Sequence, residues 1–130
     1  MQTAQYKKAR CERGQALVEM AIALPLFLLL LMGIMEMGWY FYNQISVENG
    51  SREGARYAIV HAEDTTLNND VTSLVQGMVF GPGTLTVTLN KTGNDISVTV
   101  TKAVPTLTPI AAMFTPGDTF LLSAKTTMKV

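Results

Sequence analysis

A long apolar segment from Gly14 to Tyr42, GQALVEMAIALPLFLLLLMGIMEMGWYFY, constrains the fold of this chain more than any other feature. Between Met20 and Met35 it has no charged or polar side chain, and extending it to Tyr42 adds one charge, Glu36. A helix needs about 20 consecutive, predominantly apolar residues to cross a bilayer. The segment therefore predicts a membrane-spanning helix.

Charge is distributed unevenly on the two sides of this segment, although the formal charge of the whole chain is zero. Residues 1–14 have four basic residues and one acidic residue, whereas the remainder has six basic and nine acidic residues. Basic residues favour the cytoplasmic side of a membrane, so we expect the N-terminus in the cytoplasm and the C-terminal residues outside. The acidic remainder lacks a basic patch, which argues against binding to nucleic acid.

Three interpretations fit residues 1–42: a removable secretory signal, an uncleaved anchor, or a leader that is cut before the apolar segment. A secretory signal should end in small residues at an A-x-A-like site. The bulky sequence from Trp39 to Tyr42 follows the apolar run instead, which makes the secretory interpretation the weakest. The single cysteine, Cys11, lies in the leader and allows no intrachain disulfide.

The residues around the junction of leader and apolar segment resemble a known processing site. Gly14 stands at the boundary in the sequence RGQALVEM, and a carboxylate, Glu19, follows five residues later. This is similar to the type IV prepilin site, where a membrane aspartyl peptidase cuts after the glycine. Together with a Leu-Pro step at Pro25 and the sequence SREGARYA at residues 51–58, it resembles the TadE-like minor pilins and pseudopilins of the tight-adherence (Tad) pilus.

This resemblance implies cleavage between Gly14 and Gln15 by a prepilin peptidase. It also implies that Glu19 pairs with the new amino terminus of a neighbouring subunit during assembly. The expected partners are membrane lipid, the prepilin peptidase, other pilin subunits and the inner-membrane assembly platform. The expected location is the cytoplasmic membrane, as a single-pass protein, with incorporation in a pilus as a further outcome.

Two residues interrupt the apolar pattern within the segment. Pro25 removes a backbone hydrogen bond and predicts a helix kink near Leu24, which membrane helices tolerate. Glu36 would lie about 12 Å from the centre of a span centred near Leu28, close to the edge of the hydrocarbon core. It could extend to the outer headgroups beside Trp39, or it could contact a neighbouring pilin or assembly protein.

Beyond the aromatic residues 39–42 the helical pattern continues to about Val60, with a stripe of small residues on one face. Glycine in a helix costs about 1 kcal/mol relative to alanine, so this spacing indicates close packing by another element. The stripe residues recur every four positions: Ser46, Gly50, Gly54, Ala58 and Ala62. The spacing of Glu48 and Arg52, and of Glu53 and Arg56, predicts two weak ion pairs, and the resemblance implies that Arg52, Glu53 and Arg56 hold the helix against the domain or a partner subunit.

The C-terminal sequence predicts a second helix followed by strands. Apolar residues at helical spacing extend from Leu67 to Met78, with Thr66 as the cap and Gly81-Pro82-Gly83 as the stop. Alternating residues at 84–89 and 96–101 then predict a hairpin. With a four-residue loop at 91–94, the predicted register places Leu89, Val87 and Leu85 opposite Ile96, Val98 and Val100.

A third alternating strand is predicted at Phe120 to Met128, without an assignable pairing partner. A three-stranded sheet must bury its apolar face, and the second helix and the small-residue stripe are the available elements. The sequence therefore predicts an α+β, pilin-like fold with a long N-terminal helix, a second helix and a three-stranded antiparallel sheet. The predicted division is a cleaved leader (1–14), a helix with its extension (15–62) and a small outer domain (63–130).

The sequence contains no recognisable catalytic, cofactor-binding or metal-binding constellation, so we expect neither an enzyme nor a cofactor. The leading hypothesis is a membrane-anchored minor pilin or pseudopilin that helps to initiate or assemble a Tad-type pilus after cleavage following Gly14. The alternatives are an uncleaved single-span scaffold of a secretion or pilus assembly complex, and an adhesive surface module that uses a Thr-rich sheet face.

Overall fold

The computed structural model describes residues 2–130, with side chains described from Gly14 onward except at Pro116. The side chains of the basic leader, including Cys11, therefore lie outside the described part. The elements in chain order are helix α1 (Gln2–Val60), helix α2 (Leu67–Met78), strand β1 (Thr84–Thr92), strand β2 (Asp95–Pro105), the short helix α3 (Pro109–Phe114), a 3₁₀ turn (Pro116–Asp118) and strand β3 (Thr119–Lys129). This is an α+β fold with a long N-terminal helix, a second helix and a three-stranded antiparallel sheet, as predicted.

The chain divides into two compact units, Met1–Met35 and Glu36–Val130. The first unit contains the apolar part of α1, which has Pro25 inside the helix. The second unit contains the rest of α1 together with α2, the sheet and α3. The part of α1 after Met35 thus belongs to the second unit, the folded unit.

Strand β2 is the centre of the sheet and pairs with both β1 and β3. The predicted hairpin register was wrong by two residues, because the turn is Gly93-Asn94 and Thr92 pairs with Asp95. Gly93 has a φ of +60°, a conformation that glycine adopts readily and that two-residue hairpin turns require. A shift of two residues keeps every side chain on its predicted face, and it places Leu85 opposite Lys102 instead of Val100.

Strand β3 pairs antiparallel with β2, which supplies the partner that the sequence left unassigned. Phe120 lies opposite Val104, Ala124 opposite Val100 and Met128 opposite Ile96. The connection from β2 to β3 includes α3 and the 3₁₀ turn. This longer connection lies at the same end of the sheet as Pro105 and Thr119.

Helices α1 and α2 pack against one face of the sheet and form a single core with it. Alternate residues of β2 are buried on that face, in agreement with the period of two in a strand. The buried apolar residues of the core are Val47, Ala55, Ala58, Leu67, Val71, Val75, Val79, Ile96, Val98 and Val100. The other face carries exposed or half-buried polar residues, among them Thr86, Thr88 and Thr99.

Helix α2 follows its predicted apolar pattern. Leu67, Val71 and Val75 are buried, while Met78 is exposed at the end of the helix. Thr66 occupies the N-cap position, but its side chain makes no capping bond. Its hydroxyl donates to the Asp70 carboxylate at 2.7 Å instead.

Candidate functional site

The residues of the expected processing site lie on the exposed surface of α1. Gly14, Gln15 and Glu19 are all exposed within one uninterrupted helix. A Cβ atom at Gly14 would meet no atom within 4 Å, so packing in this chain does not require glycine there. Pro25 is also exposed and lies inside the helix.

The small-residue stripe of α1 packs closely against α2. A Cβ atom at Gly50 would lie 2.8 Å from Val79 Cγ2, and one at Gly54 would lie 3.0 Å from Val75 Cγ2 and 3.3 Å from Val98 Cγ1. Ala58, farther along the stripe, is fully buried. The absence of side chains at the two glycines therefore lets α2 and the sheet approach the α1 backbone.

Among the described side chains, those of Arg52, Glu53 and Arg56 form no hydrogen bond or ion pair with another element of the fold. Arg52 and Arg56 are exposed, and Glu53 is half-buried. Arg52 Nη2 lies 3.4 Å from Glu48 Oε2 in a solvent-exposed pair, but within the described side chains Glu53 and Arg56 form no ion pair. The arginines thus leave an accessible charged helix face.

Glu36 forms a buried polar contact between α1 and the C-terminal half of the chain. Its side chain is only 6% exposed. Its carboxylate accepts hydrogen bonds from Tyr40 Oη at 2.7 Å, Leu107 N at 3.0 Å and Thr108 N at 2.9 Å. These three donors belong to the same chain as Glu36, and this intrachain contact is one that neither sequence interpretation of Glu36 included.

Two aromatic residues strengthen this attachment. Trp39 Nε1 donates to the Pro105 carbonyl at 3.2 Å, and the Tyr40 ring centroid lies 4.4 Å from that of Phe120. Trp39 and Tyr40 thus join α1 to the end of β2 and the start of β3.

Lys102 is a buried cation that sequence analysis missed. It lies on the apolar face of β2 and is 1% exposed. Its Nζ donates to Asn43 Oδ1 at 2.8 Å and to the Phe80 carbonyl at 2.7 Å. Asn43 is oriented for this role because its Nδ2 donates to the Trp39 carbonyl at 2.9 Å. Lys102 thereby links α1, the end of α2 and the sheet.

Burial of Lys102 predicts a pH dependence of stability. Desolvation lowers the pKa of its amine below the ordinary value of 10.5. Below the folded-state pKa the amine is charged in both states, and the folded state bears the full cost of desolvation. As pH rises from that pKa towards 10.5, the folded protein loses the proton first, so the free energy of unfolding should rise.

The measurement compares denaturant unfolding of the wild-type chain and a Lys102→Met variant from neutral to alkaline pH. The difference in free energy of unfolding, wild type minus variant, is expected to increase with pH, because the variant has no amine to titrate. A difference that stays constant over this range would show that the folded protein does not depress the pKa of Lys102.

Helix α1 contains a stretch that is long and apolar enough to cross a membrane. None of that stretch is buried within the described protein, which distinguishes it from the core helix of a globular domain. Among the described residues, no group of three or more histidine, cysteine, aspartate or glutamate side chains is placed to hold a metal ion.

Comparison with known proteins identifies one part of the chain. Residues 14–56 match the family model described as TadE-like protein. No curated protein and no solved structure matches the chain. The matched range begins at the glycine of the leader junction and includes the apolar segment, Glu36, both packing glycines and Arg56. The chain thus carries a TadE-like segment from Gly14 to Arg56.

Proposed function

We propose that this protein is a membrane-anchored minor pilin or pseudopilin that helps to initiate or assemble a Tad-type pilus. The observation that carries the proposal is the TadE-like match over residues 14–56, which begins at the junction expected for prepilin cleavage. The folded unit from Glu36 onward would be the part presented outside the membrane. A structural role in assembly, without catalysis, is part of the proposal.

The charge pattern supports insertion with the leader in the cytoplasm. The four basic residues of the leader precede an exposed apolar helix surface, and basic residues favour the cytoplasmic side. The prepilin peptidase would then remove residues 1–14 and leave Gln15 as the new amino terminus. The mature chain would begin at the apolar helix.

The exposure of Glu19 supports its proposed role in assembly. Glu19 lies in the first turns of the mature helix, and its side chain is free of packing within the chain. A carboxylate near a low-dielectric boundary is stabilised by an opposite charge. The free amino group of a neighbouring subunit would supply that charge.

The exposed arginine face of α1 supports a contact with another subunit. Arg52 and Arg56 are exposed, and although Arg52 pairs with Glu48, both guanidinium groups remain accessible to a partner. This surface lies on the folded unit, whereas Glu19 lies on the first unit. Each unit therefore offers its own contact to a neighbouring pilin or to the assembly platform.

Replacement of Gly14 tests the processing step directly. We expect Gly14→Leu to retain the leader in cells that contain the prepilin peptidase, because the site would no longer have glycine before the cut. The measurement is the intact mass of the chain extracted from membranes. Insertion should be unchanged, since a side chain at Gly14 meets no atom within 4 Å.

Gly33→Leu is the matched control. A Cβ atom at Gly33 would likewise meet no atom within 4 Å, but Gly33 lies within the apolar segment, away from the junction. This variant should be processed like the wild type. Normal cleavage of Gly14→Leu would mean that the site is elsewhere, and a wild-type chain left uncut beside an active peptidase would favour an uncleaved scaffold.

A further inference from the structure

The end of the folded unit next to Glu36 carries an exposed apolar surface. We define the apolar tip as residues 106–117, which connect β2 to β3 and include α3. Met113 and Phe114 are 83% and 85% exposed. From Ala103 to Gly117 the sequence has no charged residue. An aromatic and a thioether side chain so fully exposed, in a segment that has no charged residue of its own, indicate a surface that lipid or another molecule covers.

The apolar tip is held to Glu36, the residue that directly follows the uncharged stretch from Met20 to Met35. Glu36 comes immediately after Met35, and its carboxylate accepts the backbone N–H groups of Leu107 and Thr108 at 3.0 and 2.9 Å. Helix α3 begins at the next residue, Pro109. The tip is therefore held where the uncharged stretch of the chain ends.

The position of Glu36 sets the depth of the apolar tip. In a span centred near Leu28, Glu36 lies about 12 Å from the midplane, and the hydrocarbon core extends roughly 15 Å on each side. The carboxylate and the two amides that it binds thus lie near the boundary between acyl chains and headgroups. Trp39 and Tyr40, whose residue types concentrate at this boundary, contact Pro105 and Phe120 on either side of the tip.

From these observations we propose that the apolar tip inserts into the outer leaflet of the membrane, as a second lipid contact beside the spanning helix. Phe114 and Met113 would enter the boundary between headgroups and acyl chains. Lipid fits this surface better than a protein partner does, because the link to Glu36 places the tip at the bilayer surface and the tip has no charges to specify a protein. The inference rests on the proposed membrane anchoring of α1.

The test uses the full chain in vesicles of phosphatidylcholine and phosphatidylglycerol. In a Cys11→Ser background, single cysteines for a fluorescent label are introduced by Phe114→Cys, Met113→Cys, Thr88→Cys and Leu28→Cys. Phe114 and Met113 are so exposed that substitution leaves the core intact. Thr88 reports the exposed face of the sheet, and Leu28 reports the spanning helix.

Labels at positions 113 and 114 are expected to show blue-shifted emission. Lipids brominated near the headgroup should quench most of their fluorescence. The label at 88 should respond only to an aqueous quencher, and the label at 28 should respond to lipids brominated deep in the acyl chains. Aqueous exposure at 113 and 114, with 28 still in lipid, would overturn the tip proposal alone. Aqueous exposure at 28 would overturn the membrane anchoring itself.

A protein occupant gives a different result. If a second copy of the chain covered the tip, the labels at 113 and 114 would be protected from the aqueous quencher without responding to brominated lipid. That protection would increase with the ratio of protein to lipid. Such a result would overturn the lipid assignment and identify the tip as an interface between copies.

Discussion

Glu36→Ala is expected to release the β2–β3 connection from α1 and to accelerate hydrogen exchange at the amides of Leu107 and Thr108. The substitution removes an acceptor that serves three donors, two of them these backbone N–H groups. Hydrogen bonds to a charged group each contribute about 1.5–3 kcal/mol. A loss of about 3 kcal/mol of local stability corresponds to a roughly 100-fold faster exchange at the two amides.

Glu48→Ala is the matched control for this prediction. Glu48 is on the same helix and pairs with Arg52, but that pair is exposed to solvent and should contribute well under about 1 kcal/mol. Exchange at Leu107 and Thr108 should be unchanged in this variant. If Glu36→Ala and Glu48→Ala gave equal exchange rates at these amides, the carboxylate of Glu36 would not hold the connection.

Gly54→Leu is expected to destabilise the folded unit strongly, because the new side chain would enter space already occupied by Val75, Val71 and Val98. Their nearest atoms lie 3.0–3.3 Å from the position of a Cβ atom at residue 54. Overpacking of this kind costs up to about 3 kcal/mol. In a domain of this size, that loss lowers the thermal midpoint by more than about 10 °C, as measured by circular dichroism of the full chain in detergent micelles.

Gly77→Leu separates this effect from helix propensity. Gly77 lies within α2, and a Cβ atom there would meet nothing within 4 Å. Leucine is a better helix former than glycine, so this variant should be as stable as the wild type or more stable by up to about 0.8 kcal/mol. A Gly54→Leu variant that gained stability like Gly77→Leu would contradict the close approach of α2 to α1.

The elements of this fold are predictable from sequence because each has a strong local signal. The apolar pattern of Leu67, Val71 and Val75 has the period of a helix, and the alternation in β1 and β2 has the period of a strand. The hairpin register has a weaker signal, because it depends on turn length. Lys91 and Thr92 continue the strand, and only Gly93 and Asn94 form the turn.

The contacts of Glu36 and Lys102 could not be predicted, because their partners are distant in the sequence. Leu107 and Thr108 reach Glu36 only through the pairing of β2 with β3 and the path of α3. Lys102 meets Asn43 and Phe80 only after both helices pack on the sheet. A lone carboxylate four residues before Tyr40 signals a contact within the helix, but backbone donors have no sequence signature.

The junction at Gly14 differs from the contacts of Glu36 and Lys102, because the evidence for cleavage there comes from the sequence and not from the structure. Gly14, Gln15 and Glu19 are exposed and have no tertiary packing that would explain them. The TadE-like match begins at Gly14, so the proposed cleavage at this boundary is supported by similarity and not by packing. Cleavage therefore has to be tested by a measurement on the intact chain.

The intact mass of the wild-type chain, extracted from membranes of cells with and without the prepilin peptidase, tests the proposed function most directly. With the peptidase, we predict a chain that lacks residues 1–14 and has Gln15 at its amino terminus. Without the peptidase, the mass should be that of all 130 residues. A full-length chain in the presence of active peptidase would contradict processing as a pilin.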